Sequence, residues 1–223
     1  MAVRPFEWID SRLRLRPALK DIVEHPVPEH VDPVRHPSAF VYCFGGLTFL
    51  FFMLLVVSGV FLAFYYVPSP DHAHDSVQYI TKEVTFGAVV RGIHHWSASA
   101  FVVMLVLHML RVFLQGAYKH PREMNWVAGV LLFALGLTMS FTGYLLPWDQ
   151  KAYWATMVGT TMIGSTPIVG DFLLHAARGG SDLGAVTLAR FYALHVLIVP
   201  GLMFALLGLH FMMVRRQGIS RPL

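Results

Sequence analysis

The sequence predicts an all-α fold, an integral membrane bundle of four helices. Hydrophobic residues occupy 56% of the 223 positions and charged residues only 13%, which is typical of a chain surrounded mostly by lipid. Crossing about 30 Å of hydrocarbon takes roughly 20 mostly apolar residues in a helix, because lipid offers no partner for unpaired backbone groups. Four stretches meet that length: helix A at about 40–66, helix B at about 93–114, helix C at about 126–145 and helix D at about 191–214.

The other segments divide the chain into an N-terminal surface segment, 1–39, and a four-helix membrane domain, 40–223. Phe6, Ile9 and Leu13 stand at helical spacing among arginines, which predicts an amphipathic helix on an anionic membrane surface. A solvated polar tail is the alternative for this segment. The connection between helices C and D has helical spacing in two places, so we expect short helices at the outer membrane surface.

Positive charge is distributed unevenly between the two ends of the predicted bundle. With four spans both termini lie on one side, and that side holds most of the seventeen lysine and arginine residues. The positive-inside rule therefore predicts cytoplasmic N- and C-termini. The net charge of +4 follows from this asymmetry and gives no reason to expect nucleic acid as a partner. A single cysteine excludes a disulfide within the chain.

Helices B and D each carry two histidines inside the predicted hydrocarbon. At about 100° per residue, His94 and His108 fall on one face of helix B. His195 and His210 share a face of helix D in the same way. Both helices run inward from the outer side, so His94 lies at the depth of His195. His108 likewise lies at the depth of His210. Ionisable residues inside a span are costly, and these four therefore predict a functional site.

Each depth offers two imidazoles that face each other across the bundle. A zinc site prefers four tetrahedral ligands, and a catalytic zinc usually keeps three from the protein. Haem iron takes ligands on its two axial positions, and a porphyrin edge is apolar enough for a bilayer. The pattern predicts two stacked haems b, the outer iron held by His94 and His195 and the inner iron by His108 and His210.

Glycines in the other two helices repeat the histidine spacing. Helix A has Gly45 and Gly59, and helix C has Gly129 and Gly143. A flat macrocycle between helices needs backbone without side chains at its level. Either pair alone is typical of ordinary helix packing, but the match in both helices favours the haem interpretation. The interval rises about 21 Å, which predicts one haem in each leaflet.

Arginines flank both histidine levels. Arg91 lies at the outer end, and Arg111 and Arg215 lie at the inner end. Haem propionates are anionic, so these cations are candidates to pair with them. Anchoring of the helix ends at the membrane interface is the alternative. His95 is about 140° around helix B from His108, so we expect it at an interface or a loop end.

With these residues in place, the chain resembles the short, split form of cytochrome b from quinol-oxidising cytochrome bc complexes over essentially its whole length. The resemblance lies in VYCFGG, SVQYI, RGIHHWSAS, TGYLLPWDQ and RFYALH. The longer histidine interval on helix D is also similar to the split form. GAYKHPRE and HVDPVRHPSAFVYCFGG are more similar to bacterial menaquinol–cytochrome c reductases than to photosynthetic plastoquinol complexes.

The resemblance implies a subunit that passes electrons from an outer quinol-oxidation site through both haems to an inner quinone, contributing to proton translocation. GYLLPWDQKAYWA is similar to one wall of that outer site, which makes Tyr144, Trp148 and Lys151 candidate quinol-site residues. Aromatic anchoring at the membrane interface is the alternative. Cys43 matches the cysteine that binds a further haem covalently in the split form. Without the resemblance, it would be a small buried apolar residue.

The resemblance also implies partners in a bacterial plasma membrane. The family's Pro-Glu-Trp-Tyr loop is absent from this sequence, so a separate subunit is expected to carry it. A Rieske iron–sulfur protein and a c-type cytochrome would complete the complex, which we expect to be a homodimer. Two alternatives stay open: a dihaem membrane anchor of another respiratory enzyme, and a haem-free proton or solute transporter whose histidines relay protons.

Overall fold

The computed structural model describes residues 43–218, and every regular element within that range is helical. The predicted amphipathic segment at 1–39 lies outside the described residues. In chain order the elements are α1 (Phe44–Ala63), α2 (Ala73–Lys82), α3 (Gly87–Leu114), α4 (Glu123–Leu145), α5 (Gln150–Gly164), α6 (Gly170–Arg178), α7 (Ala185–Ala193), a π-helical turn (Leu194–Ile198) and α8 (Val199–Gln217).

Four helical runs are long and apolar enough to cross a membrane, which confirms the predicted all-α membrane bundle. Helices A, B and C are α1, α3 and α4. Helix D is the continuous run Ala185–Gln217, from α7 through the π-helical turn to α8. Apolar side chains such as Val60, Val103 and Leu202 are exposed on the outside of the bundle, where lipid is the solvent.

The connection between α1 and α3 contains α2, a short helix that the sequence analysis did not predict. Its buried residues, Ala73, Ser76 and Ile80, lie on one face. Asp75 in the first turn and Lys82 in the last turn complement the helix dipole. A buried face of three residues, two of them small, is too weak a hydrophobic pattern to stand out among turn residues.

The π-helical turn in helix D accounts for its longer histidine interval. The N–H of Val199 bonds to the carbonyl of Leu194, five residues back instead of four. A π-helical turn holds about one residue more than an α-helical turn. His195 lies within this turn. The extra residue offsets the longer interval to His210, so both imidazoles stay on the same face of helix D.

Apolar side chains fill the middle of the bundle between the two histidine levels. The buried cluster consists of Phe52, Phe101, Leu105, Val199 and Met203. Close packing here depends on a small residue in α4, because a Cβ on Gly136 would lie 2.8 Å from Leu105 Cδ2. A second cluster, formed by Ala73, Leu145, Leu188 and Phe191, closes the end of the bundle nearest α2 and α7.

The connection between helices C and D contains α5 and α6, as the sequence predicts, and one buried arginine holds it together. Nε of Arg178 donates to Thr160 Oγ1 at 2.8 Å, and Nη2 donates to the Met157 carbonyl at 2.9 Å. Nη2 also donates to Thr161 Oγ1 at 2.7 Å, and Nη1 to the Ser181 carbonyl at 2.8 Å. These acceptors compensate the cost of burying the charge and join α5 to α6.

Candidate haem sites between the helices

The first histidine pair lies at the end of the bundle near α2. The ring centroids of His94 and His195 are 6.3 Å apart, and their planes meet at 70°. Two metal–imidazole bonds of about 2 Å each, together with the radius of each ring, span roughly that separation. We call this the outer level and the level of His108 and His210 the inner level, following the predicted topology.

Hydrogen bonds orient both rings of the outer level. Nδ1 of His94 lies 2.9 Å from Ser58 Oγ, whose own hydroxyl donates to the Leu54 carbonyl. Ser58 Oγ is therefore the acceptor, and Nδ1 carries the proton. This tautomer leaves the lone pair of Nε2 available for a metal.

His195 is held in the same way by α4. Its Nδ1 lies 3.0 Å from the Met139 carbonyl and 3.3 Å from Thr142 Oγ1. Thr142 Oγ1 donates to the Thr138 carbonyl at 2.8 Å, so it also accepts from the ring. Both outer rings thus have a protonated Nδ1 and a free Nε2.

The second histidine pair lines a cavity at the inner end of the bundle. This cavity holds about 1350 Å³ of unfilled space, counting its open mouth, and most of its lining is apolar. His108 enters it from α3 and His210 from α8. The backbone of Asn125 faces Nδ1 of His210 but stays outside hydrogen-bond geometry. Two imidazoles in the wall of a large, mostly apolar space fit a bulky ligand with a metal at its centre.

The glycines lie against the imidazoles themselves. A Cβ on Gly59 would lie 3.2 Å from His94 Cε1, and one on Gly45 would lie 3.1 Å from His108 Cε1. In α4, a Cβ on Gly129 would lie 3.7 Å from His210 Cε1. The sequence predicts that these glycines make room for a macrocycle. In the structure each one lets a helix backbone approach the edge of a histidine ring.

Glycine contacts sort the four helices into two pairs. The glycines of α1 contact histidines of α3, and those of α4 contact histidines of helix D. Each pair therefore presents one imidazole per level toward the other pair. In residues 43–218 no three His, Cys, Asp or Glu side chains cluster as metal ligands. The donor set at each level is two imidazoles, which fits the two axial positions of a haem iron.

The predicted arginines lie in different surroundings. Arg111 lines the inner cavity, whereas Arg215 is in the last turn of α8 and does not line it. Arg91 reaches Thr81 Oγ1 of α2 at 3.5 Å on the exposed surface. Arg122 was not predicted but also lines the inner cavity, and its Nε donates to the Gly218 carbonyl at 3.2 Å. Its place just before helix C was the available signal.

The candidate quinol-site residues lie along the turn from α4 to α5. Tyr144 is 47% exposed, and Lys151 is exposed in the first turn of α5. Trp148 has a left-handed backbone, φ 49°, and packs against the buried cluster that contains Leu145. Left-handed backbone is costly for a bulky residue, so this turn is held by its surroundings. The three side chains share one segment, and none of them lines the cavity that contains His108 and His210.

His95 and Cys43 both lie outside the two imidazole pairs. His95 is exposed within α3, with its ring 5.8 Å from that of Trp96, and does not join the column of His94. Cys43 is exposed and directly precedes α1. It stands two positions before Gly45, the residue that contacts His108, so this residue is at the inner end of α1.

Comparisons with known proteins agree with this arrangement. A family model described as cytochrome b/b6/petB matches residues 25–218. The menaquinol:cytochrome c reductase cytochrome b subunit of Bacillus subtilis is 53% identical over 219 residues, 98% of both chains. The corresponding subunit of Geobacillus thermodenitrificans is 52% identical over 219 residues, with the same coverage.

A solved structure has the same fold. A chain of a hyperthermophilic respiratory complex III superposes with a TM-score of 0.81 at 36% identity, covering 97% of this chain. The present chain spans 56% of that longer chain. These similarities decide against the haem-free transporter and the unrelated dihaem anchor. The protein is a multi-pass membrane protein that binds haem b, and the chain belongs to the cytochrome b family.

Proposed function

We propose that the chain is the electron-transferring subunit of a menaquinol:cytochrome c oxidoreductase. Electrons from a quinol oxidised at the outer surface pass through two haems to a quinone at the inner surface, which contributes to proton translocation. The observation that carries this proposal is the pair of imidazole levels, each formed by one histidine from α3 and one from helix D. Relatives with matching length and about half of the residues identical have that activity in their names.

The histidines would hold haem b through their free Nε2 atoms, His94 with His195 and His108 with His210. Haem b supplies an iron that accepts and releases one electron. The protein orients the ligands through Ser58, Met139 and Thr142 at the outer level. Phe52, Phe101 and Leu105 exclude water between the two levels. Arg111 and Arg122 would supply positive charge beside the inner haem propionates. Arg91 and Arg215 would supply positive charge for propionates at the outer and inner ends of the bundle.

A third haem would attach covalently to Cys43. The thiol is exposed and Cys43 stands two positions before Gly45, which lines the inner cavity, so a tetrapyrrole bound outside that cavity would be close enough to reach it. A thioether needs an accessible sulfur, which a buried cysteine would not offer. The resemblance to the split form of the family supplies the reason to expect this attachment.

Tyr144, Trp148 and Lys151 would form this chain's wall of the outer quinol site. Their segment begins in the last turn of α4 directly after Gly143, the residue that contacts the outer ligand His195. A quinol at this wall would therefore lie close to the outer haem. A separate subunit would supply the Pro-Glu-Trp-Tyr wall, and a Rieske protein and a c-type cytochrome would take the other electron. The complex would be a homodimer in a bacterial plasma membrane, with both termini of this chain in the cytoplasm.

Purification of the complex from its native membrane tests the proposal. A pyridine-haem assay should find two extractable haems b per chain, and a denaturing gel should retain one haem on this polypeptide. The purified complex should reduce cytochrome c with a menaquinol analogue. A reduced-minus-oxidised spectrum without a haem α-band, or a complex without quinol:cytochrome c activity, would refute the assignment.

A further inference from the structure

The outer histidines and His210 differ in what contacts the second nitrogen of the imidazole. At the outer level, Ser58 and Thr142 place a hydroxyl oxygen 2.9 Å and 3.3 Å from an imidazole Nδ1. At the inner level, Nδ1 of His210 is buried without a hydrogen-bond partner. The outer rings therefore have side-chain acceptors of a kind that His210 lacks.

The difference is built into the sequence at matching positions. Ser58 directly precedes Gly59, and Thr142 directly precedes Gly143, the two glycines that contact the outer rings. The residues that precede the inner glycines are Phe44 and Ala128, and neither has a hydroxyl. A hydroxyl-bearing residue therefore directly precedes each outer glycine and neither inner glycine.

Each hydroxyl can only accept a proton from its imidazole. Ser58 Oγ donates to the Leu54 carbonyl at 2.5 Å, and Thr142 Oγ1 donates to the Thr138 carbonyl at 2.8 Å. The lone pairs of both oxygens are left for the ring N–H. An acceptor on Nδ1–H raises the electron density of the ring and makes Nε2 a stronger donor to a metal. A stronger donor favours the oxidised iron, which has the higher positive charge.

We propose that Ser58 and Thr142 are positioning residues that lower the reduction potential of the outer haem relative to the inner haem. The inference rests on the proposed function, because it requires haem at both levels. The affected step moves one electron from the outer iron, which is oxidised, to the inner iron, which is reduced, and no bond forms or breaks. The hydroxyls make that transfer favourable in the inward direction.

Burial makes both hydroxyls effective. Ser58 is 5% exposed and Thr142 is 3% exposed, so water cannot take the place of either acceptor. One net neutral hydrogen bond changes an equilibrium constant by about three- to tenfold. For a one-electron couple, a tenfold change corresponds to about 59 mV. Because the bond exists with both oxidised and reduced iron, only its change in strength alters the potential, so we expect each hydroxyl to lower the outer reduction equilibrium constant by at most about three- to tenfold. The Met139 carbonyl remains on His195, which places Thr142 at the lower end of that range.

Redox titration of the whole purified complex tests the inference, with the α-bands of the two haems b followed separately. Ser58→Ala and Thr142→Val should raise the outer midpoint potential and leave the inner potential unchanged. Ser58→Thr and Thr142→Ser retain the hydroxyl and should titrate like the unsubstituted complex. The matched controls are Ser140→Ala and Thr138→Val, because these hydroxyls bond the carbonyls of Gly136 and Ala134 and contact no ligand histidine.

Unchanged outer potentials in Ser58→Ala and Thr142→Val would overturn the inference, as would equal shifts in both haems or in the control variants. If a substitution removes the outer haem, redox-difference infrared spectra of the unsubstituted complex test the inference instead. Imidazole bands of hydrogen-bonded Nδ1–H on reduction of the outer haem support the inference, and bands of free Nδ1–H refute it. An unsubstituted complex without two titrating haems b would instead refute the proposed function.

Discussion

Gly143 of α4 lies so close to the imidazole of His195 that a side chain at this position would overlap the ring. Gly129, one histidine interval earlier in the same helix, lies against His210 with ordinary van der Waals room for a methyl group, 3.7 Å from Cε1. Two glycines that look equivalent in the sequence therefore tolerate a methyl group very differently. The difference follows from how closely α4 approaches each histidine.

Gly143→Ala should displace His195 and remove most of the outer haem, because overpacking of this kind costs about 1–3 kcal/mol. The pyridine-haem content and the reduced-minus-oxidised spectrum of the purified complex measure the loss. Gly129→Ala is the matched comparison in the same helix and should lose less haem, because a Cβ there meets His210 only at van der Waals distance. Equal haem loss in the two variants would show that the ring contacts do not decide which glycine is required.

His108→Ala or His210→Ala should remove the inner haem and leave most of the outer haem. Each substitution deletes one of the two imidazoles proposed to hold the inner haem, whereas the outer imidazoles are oriented separately by Ser58 and Thr142. Low-temperature optical spectra that resolve the two α-bands provide the measurement. His95→Ala should keep both haems, since His95 is exposed and outside the histidine column.

Loss of the outer haem alone from His108→Ala would contradict the assignment of levels. Loss of both haems would be traced to unfolding if the thermal unfolding temperature also fell. In that case His108→Gln and His210→Gln, which keep a side chain of comparable length, would be compared under the same conditions.

Cys43→Ser should abolish the haem that a denaturing gel retains on this polypeptide. The expected loss is complete, because Cys43 is the only cysteine in the chain and a thioether needs a thiol. The two extractable haems b should remain, since Cys43 lies outside the imidazole pairs. Retained haem stain in the variant would assign the covalent bond to another side chain.

Arg178→Met should loosen the connection between α4 and α7. The substitution removes the donors for Thr160 Oγ1, Thr161 Oγ1 and the Met157 carbonyl, and we expect a cost of about 1–3 kcal/mol in the free energy of unfolding. Faster limited proteolysis between 157 and 182 and a lower unfolding temperature would report the effect.

Arg190→Met is the control, because Arg190 also bonds carbonyls of α6 but is exposed. It should change the unfolding temperature by less than half as much, since water can replace an exposed donor. A larger effect from Arg190 than from Arg178 would rule out burial as the reason for the stabilisation.

The pKa of Tyr66 predicts a loss of stability at alkaline pH. Burial, and to a smaller extent the charge of Tyr192, raises the pKa of the Tyr66 hydroxyl, which donates to the Leu146 carbonyl at 2.7 Å. The folded protein therefore retains this proton at a pH where the unfolded chain loses it, above about 10. The stabilisation is fully present below that pH and decreases as the pH rises further.

Unfolding temperatures of the unsubstituted protein and of Tyr66→Phe, recorded from pH 8 to 11, check this prediction. Tyr66→Phe should be less stable at pH 8, because the bond to Leu146 is lost, and the gap should narrow toward pH 11. A gap that stays constant over the range would mean that Tyr66 does not titrate differently on unfolding.

Much of the site follows from intervals that the sequence displays. The four histidines and four glycines predict two levels, and the structure brings each glycine against one histidine. The close approach of each glycine to an imidazole was not predictable. Helical spacing gives the face of the helix on which a residue lies, but not which residue of a neighbouring helix packs against that face. Arg122 was missed for the same reason, since its approach to the inner cavity depends on how α4 meets the end of α8.

The sequence by itself determined the membrane class, the four spans and the depth of each imidazole, because hydropathy and helical periodicity depend only on residue order. Only the tertiary structure decided which helices pair, that a π-helical turn brings His195 into register, and that hydroxyls contact the outer rings. These features depend on distances between side chains of different helices. Such distances are set by packing of the whole bundle and are not encoded in the spacing along any one helix.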